Sequence, residues 1–269
     1  MCVIQCSQAP AGLYMIGTRT DATPARARAL EDDPESLART DPLAFLEMCR
    51  DHYHRTIRDY RCVFFKQERI KGRLKPEEQI DVRFRESPFS VHFRWLRNAG
   101  LAKEADYIAG RRRDDKGREL ALFKPAGLLG VLAPTVLRPI DGPEAKRSSR
   151  RRLDQFGFKN TLDLVIRYSR QVVGREDEGY GLHYAGRGTV DGRDTYIFER
   201  RLPYTGEGGP FPDRLLIVHI NTEHLVPLAC VAYADDAGDE LLGSYVMKSP
   251  RFNVGLTDAD FETPALASR

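Results

Sequence analysis

Tyr60-Arg61-Cys62-Val63-Phe64-Phe65-Lys66-Gln67-Glu68-Arg69-Ile70 is the stretch whose reading decides the fold. Successive side chains of a strand point to opposite faces, so Cys62 and Phe64 share one face and Val63 and Phe65 the other. The same period of two returns at once. Ile80, Val82 and Phe84 alternate with Asp81, Arg83 and Arg85, and Phe89, Val91, Phe93 and Trp95 alternate with Ser90, His92 and Arg94. Shorter runs follow at 104–110 and 119–124. Gly72, Pro76, Pro88, Gly100 and Gly117 punctuate them. Short connections between alternating runs predict an antiparallel meander.

Upstream, Asp41-Pro42 starts a helix: the carboxylate caps free N–H groups and proline suits the first turn. Leu43, Leu46, Cys49, Tyr53 and Ile57 then form one apolar stripe. Residues 1–40, with Pro10, Gly12, Gly17, Pro24 and Pro34 and no sustained periodicity, read as a disordered or loosely structured tail. Downstream, residues 125–159 hold four prolines and a basic run and read as one long loop, the kind that is usually functional or mobile. A second helix is expected from Asn160, with Asn160 and Asp163 as an approximate capping box and Leu162, Val165, Ile166, Ser169 and Val173 inside. The meander resumes at 180–190 and 193–202 around Asp191-Gly192, a strong hairpin signal. It ends with runs at 214–221, 225–234 and 240–248, and Thr257 and Asp260 cap a last helical turn.

About ten strands and two main helices, ordered helix, five strands, helix, five strands, do not alternate as a parallel α/β sheet would. The fold class is therefore α+β: residues 41–269 form a single domain, a long curled antiparallel sheet, an unclosed barrel with the two helices on its concave side. What the helices fail to fill becomes a cavity. Strand residues Phe64, Phe84, Phe93 and Trp95, or their neighbours of opposite parity, line it; the pattern leaves the inward parity open.

The composition, 41% hydrophobic and 30% charged, supports a core, and a net charge of +3 is weak for a nucleic-acid binder. No apolar run is long enough for a membrane helix, and the start of the chain lacks a basic export segment. Five irregularly spaced cysteines describe neither a disulfide framework nor a zinc site, and a Cys62–Cys230 bridge would require an exported chain. His52 and His54 point in different directions on a helix. His92 reads as a polar-face strand residue, and His219, Glu223 and His224 as a surface turn. No cofactor, metal or catalytic set is expected. Arg111-Arg112-Arg113 and the run Lys146, Arg147, Arg150, Arg151, Arg152 are the sharpest charge features, and the second is placed at the cavity rim.

Cys62-Val63-Phe64-Phe65-Lys66-Gln67-Glu68-Arg69, Glu78-Gln79-Ile80, Arg83-Phe84-Arg85 and Pro88-Phe89-Ser90-Val91 with Trp95-Leu96 resemble the bacterial family called domain of unknown function 1571. The closing Asn253-Val254-Gly255-Leu256-Thr257-Asp258-Ala259-Asp260-Phe261 resembles that family's end. The resemblance spans about 41 to 262. The family is similar in build to periplasmic lipoprotein carriers and sensors of the LolA, LolB and RseB type, which implies an exported protein holding acyl chains or a lipidated partner. The first expectation is thus a non-enzymatic binding protein for an apolar ligand: an acyl chain, a lipid or a lipidated protein. A structural or signalling interaction module with a self-filled core is the alternative, and a hydrolase built around His219 and Glu223 a third.

Overall fold

The computed structural model describes residues 33–126 and 134–261. The chain separates into one unit over residues 1–34 and another over 35–269, and the second carries the features below.

Helix α1 (Pro34–Thr40) buries Leu37 and Ala38, so the packed part begins earlier than the expected Asp41. Helix α2 (Pro42–Thr56) starts as read, with the Asp41 carboxylate accepting from the Ala44 amide at 2.9 Å and Pro42 in the first turn. Its buried face is Phe45, Leu46, Cys49 and Tyr53. Phe45 replaces Leu43 in the inner row, where it stacks on Phe198 at 5.1 Å.

Among the described residues twelve strands make a single antiparallel sheet. The first meander is β1 (Asp59–Ile70), β3 (Glu78–Arg85), β4 (Ser90–Arg97), β5 (Ala102–Ile108), β6 (Leu120–Pro125) and β7 (Val136–Pro139), with the two-residue β2 (Arg73–Leu74) folded onto β1. The second is β8 (Gly181–Val190), β9 (Arg193–Arg201), β10 (Leu215–Asn221), β11 (Pro227–Tyr233) and β12 (Leu241–Phe252). The first and last strands pair with each other, Phe64 opposite Met247 and Phe65 opposite Val246, and this long-range ladder welds the two meanders into one sheet whose edges are β7 and β8. The strands beyond the expected ten are β2 and β7. The second lies inside the stretch read as loop, because four residues ending at Pro139 carry too little alternation to register as a strand.

The sheet is bent, and local chemistry shows where. Between Arg61 and Val63 on β1 the register slips against β12, which absorbs Ser249, at a positive φ of 48°, and Pro250. A bulge is one place where a proline can sit within a central strand, and it sharpens the local twist. Asp191, at the tip of the β8–β9 hairpin, accepts hydrogen bonds from the Ser249 amide and hydroxyl, reaching across β10 and β11 to β12. That hairpin has φ 53° at Asp191 and 71° at Gly192, the mirror-image turn an Asp-Gly pair favours.

The inward parity is the one containing Tyr60, Cys62 and Phe64. It continues through Ile80, Val82 and Phe84 and through Val91 and Phe93, all buried. On the opposite face the closing motif lies across the sheet. The Asp59 carboxylate accepts from the amides of Val254, Gly255 and Leu256, the expected Thr257–Asp260 cap forms, and Leu256 and Phe261 pack with Ile108. Arg61 and Arg85 bind Asp260 and Asp258 there, each at 2.7 Å.

From the β7 edge the chain returns to the β8 edge across the concave face. It forms α3 (Pro143–Ser148), a connecting segment and α4 (Phe158–Arg170), so the expected long loop is partly helical. Helix α4 begins at Phe158 after Gly157, not at Asn160. Asn160 donates its side-chain N–H groups back to the carbonyls of Asp154 and Phe156 and so fastens the entering turn. Leu162, Val165, Ile166 and Ser169 are buried as read, whereas Val173 lies past the helix end, 64% exposed. Cys49, Cys62 and Cys230 are free thiols. Cys62 on β1 and Cys230 on β11 are separated by β12, which puts them about two strand spacings apart, beyond disulfide reach.

Candidate ligand cavity on the concave face

Between the sheet and the returning segment 140–170 lies a cavity of about 980 Å³. Every strand except β2 and β8 contributes to its lining among the described residues. Its volume sits at the upper end of ordinary small-molecule sites, about 300–1,000 Å³.

The apolar wall is Phe64, Phe93, Trp95, Phe123 and Met247, brought together because β6, β4, β1 and β12 present the same parity to the hollow. Of the aromatic residues expected there, Phe64, Phe93 and Trp95 line it. Phe84 shares their parity but sits in a packed plug. Its ring stacks on Tyr60 at 4.7 Å and meets Phe89 at 5.1 Å, and Gly157 covers it so closely that a Cβ would come within 3.1 Å of its ring. Phe156 is the floor between plug and hollow, edge-on to Phe93 at 4.9 Å and to Phe64 at 5.2 Å.

The polar lining falls into two groups. In the first, the buried Glu68 accepts from the Tyr245 hydroxyl at 2.8 Å, from the Arg150 amide at 3.2 Å and from the Ser149 hydroxyl at 3.4 Å. Glu78 accepts from the Trp95 indole at 2.5 Å, and the Lys66 ammonium stands 3.2 Å from it. These bonds pin the connecting segment and the Trp95 ring to the sheet. Burial, with Glu68 adding its negative charge, pushes the Tyr245 hydroxyl well above its usual pKa, so Tyr245 stays a donor.

The second group centres on Arg200, 1% exposed on β9 at an inward position otherwise held by Tyr196 and Phe198. Its Nη2 binds both oxygens of Asp213 at 2.7 and 2.8 Å. Its Nε and Nη1 are buried with no hydrogen-bond partner among the described residues. Each such donor costs about 1–3 kcal/mol when left unmade. Burial pushes the Cys230 thiol up to about 12, so this cavity-wall cysteine is an inert apolar group at neutral pH.

Arg147, Arg150, Arg151 and Arg152 of the basic run all border the cavity, at different depths. Arg147 and Arg152 are exposed, and Arg152 is paired with Asp154 at 2.7 Å. Arg150 and Arg151 are half-buried and line the hollow, Arg150 donating to the Pro212 carbonyl at 2.9 Å. The side chain of Lys146 lies outside the described ones. Arg200 was missed in the sequence because a single arginine in an alternating run reads as solvent-facing; the available signal was its parity, shared with Tyr196 and Phe198.

The histidines are not assembled around the cavity. His219 meets Thr195 at 3.1 Å, His224 stands 3.6 Å from Glu223 on a turn, and His219 and Glu223 are not paired. His92, expected to be a simple polar-face residue, is buried against Asp106, Nδ1 to Oδ1 2.6 Å, and does not line the cavity. Among the described residues no cluster of three or more His, Cys, Asp or Glu could hold a metal.

A curled, unclosed antiparallel sheet with helices lying in its mouth is a LolA-like build. A family model described as "Protein of unknown function (DUF1571)" matches residues 57–265, and the chain belongs to that family. No curated protein matches it significantly. Among solved structures, a DUF1329 family protein from Desulfovibrio piger is similar at 15% identity, covering 82% of this chain and 98% of that one, with a TM-score of 0.39. The Pseudomonas aeruginosa MucA/MucB complex is similar at 13% identity over 81% of this chain and 60% of that one, TM-score 0.45, so the chain spans well under two thirds of that relative. The Mycobacterium tuberculosis lipoprotein LppX is similar at 12% identity, over 81% and 99%, TM-score 0.37.

Proposed function

We propose that this protein binds one elongated apolar ligand, an acyl chain or the lipid part of a larger molecule, between its sheet and the returning segment, and works as a carrier or sensor without catalysing a reaction. The observation that carries this reading is the hollow itself: about 980 Å³ walled by Phe64, Phe93, Trp95, Phe123 and Met247 beside a plug of similar aromatics that is packed solid. Each methylene moved from water into such a wall contributes about 0.8 kcal/mol, so ten contribute about 8 kcal/mol before the losses of association. Export to the periplasm belongs to the same reading through the family resemblance. No helix among the described residues is long and apolar enough to cross a membrane.

Trp95 is the single tryptophan of the chain and faces the hollow, so its fluorescence reports occupancy. Titration with a bromine-labelled fatty acid in low salt is expected to quench it saturably, at one ligand per chain. Native mass spectrometry is expected to show the same stoichiometry. Linear, non-saturating quenching with no retained acyl species would overturn the proposal.

A further inference from the structure

We propose that the ligand carries an oxyanion head, a carboxylate or a phosphate, and that this head is seated inside the hollow on Arg200 and Arg151, with Arg150 beside them. The inference rests on the binding reading above and deepens it by naming the chemistry of the ligand's polar end.

The seat is defined by donors that the protein leaves unused. Arg200 is 1% exposed and lines the cavity, yet two of its three guanidinium nitrogens have no hydrogen-bond partner among the described residues. Asp213 occupies only Nη2. A buried guanidinium is a rigid fork with five N–H donors, and its open edge matches the paired oxygens of a carboxylate or phosphate. Arg151 is half-buried in the facing segment, and its guanidinium makes no hydrogen bond or ion pair among the described residues. Arg150 spends one guanidinium nitrogen on the Pro212 carbonyl, and its side chain has no carboxylate partner among the described residues. The three lie at one end of the hollow: Arg150 donates to the Pro212 carbonyl, the next residue Asp213 holds Arg200, and Arg151 follows Arg150 in the same lining segment.

The charge balance of the hollow points the same way. Nine basic side chains line it against six acidic ones among the described residues. Most of the others are already matched, as Arg138 is by Glu144 and Lys66 by Glu78. Beside the Arg200–Asp213 pair, Arg150 and Arg151 add two positive charges that no side-chain ion pair matches among the described residues. From there the lining runs across β10, β11, β12, β1 and β3 to Phe93 and Trp95 on β4. An amphiphile with its head on Arg200 would lay its tail along that track, which accounts for an arginine at a position where the strand otherwise places aromatics.

The test compares dodecanoate, dodecan-1-ol and inorganic phosphate as competitors of the bromine-labelled fatty acid, read through Trp95. Dodecanoate is expected to compete about tenfold or more better than the alcohol, the scale of a charged hydrogen bond. Arg151→Gln, and Arg200→Gln paired with Asp213→Asn, are expected to erase most of that advantage, so that acid and alcohol compete nearly equally. Arg151 is half-exposed, so its variant decides the matter if the buried double variant fails to fold. Equal competition by acid and alcohol in the wild type, or an advantage that survives Arg151→Gln, overturns the anion seat and leaves the binding reading standing. Competition by phosphate as strong as that by dodecanoate also overturns it, by making the seat a site for free phosphate. Failure of both chains and of the labelled acid to bind removes the binding reading itself.

Discussion

Phe84 and Phe93 are cross-strand diagonal neighbours on β3 and β4 with the same inward parity, yet one lies in a solid plug and the other borders a hollow. Over Phe84 the chain brings Gly157, Phe156 and Phe158, and Phe158 packs on Tyr60 at 4.6 Å and on Phe252 at 5.8 Å. Over Phe93 it brings Phe156 at the floor, and beyond it the connecting segment tied to Glu68 and its partners. The difference teaches that alternation makes an apolar face, while the path of the covering segment decides whether that face becomes core or binding wall.

The sharpest way to break the contrast is to empty the plug. Phe158→Ala removes a fully buried ring with three aromatic neighbours and is expected to cost about 3–5 kcal/mol, seen as a lower midpoint in urea unfolding. A loss below about 1 kcal/mol would mean that the plug is not packed as described. Phe84→Ala should cost nearly as much, whereas Phe93→Ala, whose ring already borders space, should cost about 2 kcal/mol or less and instead weaken quenching of Trp95 by the labelled acid. Equal destabilisation by the two would erase the distinction between plug and wall.

Gly157 offers a smaller, steric probe. It sits at φ 114°, where side chains are strained, and its missing Cβ would press on Phe84 and on the Tyr60 hydroxyl. Gly157→Ala is expected to destabilise by about 1–3 kcal/mol without abolishing ligand binding, checked by unfolding and titration of the same sample.

The smallest effect concerns α1 at the outer edge of the covered side. Glu35 there accepts from Tyr184 at 2.7 Å and from Arg187 and Arg39, and the Arg187 bond first, then the Tyr184 bond, hold its pKa down to about 2. A folded-state pKa below the unfolded value of 4.5 contributes stability that is complete above pH 4.5 and is lost as the pH falls toward 2. Glu35→Gln should therefore lower stability slightly near neutrality and flatten the decline over that window, so that variant and wild type converge toward pH 2. A variant with an unchanged acid profile would remove Glu35 from the account.

Much of this architecture was legible beforehand. The period of two over 60–70, the Asp191-Gly192 turn and the Asp41-Pro42 start are local signals, and local sterics and capping suffice to produce them. The start of α4 was not legible, because Asn160 looks like a cap and serves instead as a tie to Asp154 and Phe156. Arg200 was hidden for a related reason. Nothing in Arg200-Arg201 says which arginine turns inward, and the answer depends on the register with Leu216 on β10.

By itself the order of residues determined that about ten short pleated segments and two amphipathic helices would form, since those follow from side-chain alternation and chain stiffness over a few neighbours. Only the tertiary structure decided that β1 would meet β12, that the returning segment would plug one part of the concave face and stand clear of the other, and that Arg200 would be buried with donors to spare. Those outcomes depend on groups far apart in sequence competing for the same space, and no local pattern encodes which of them wins.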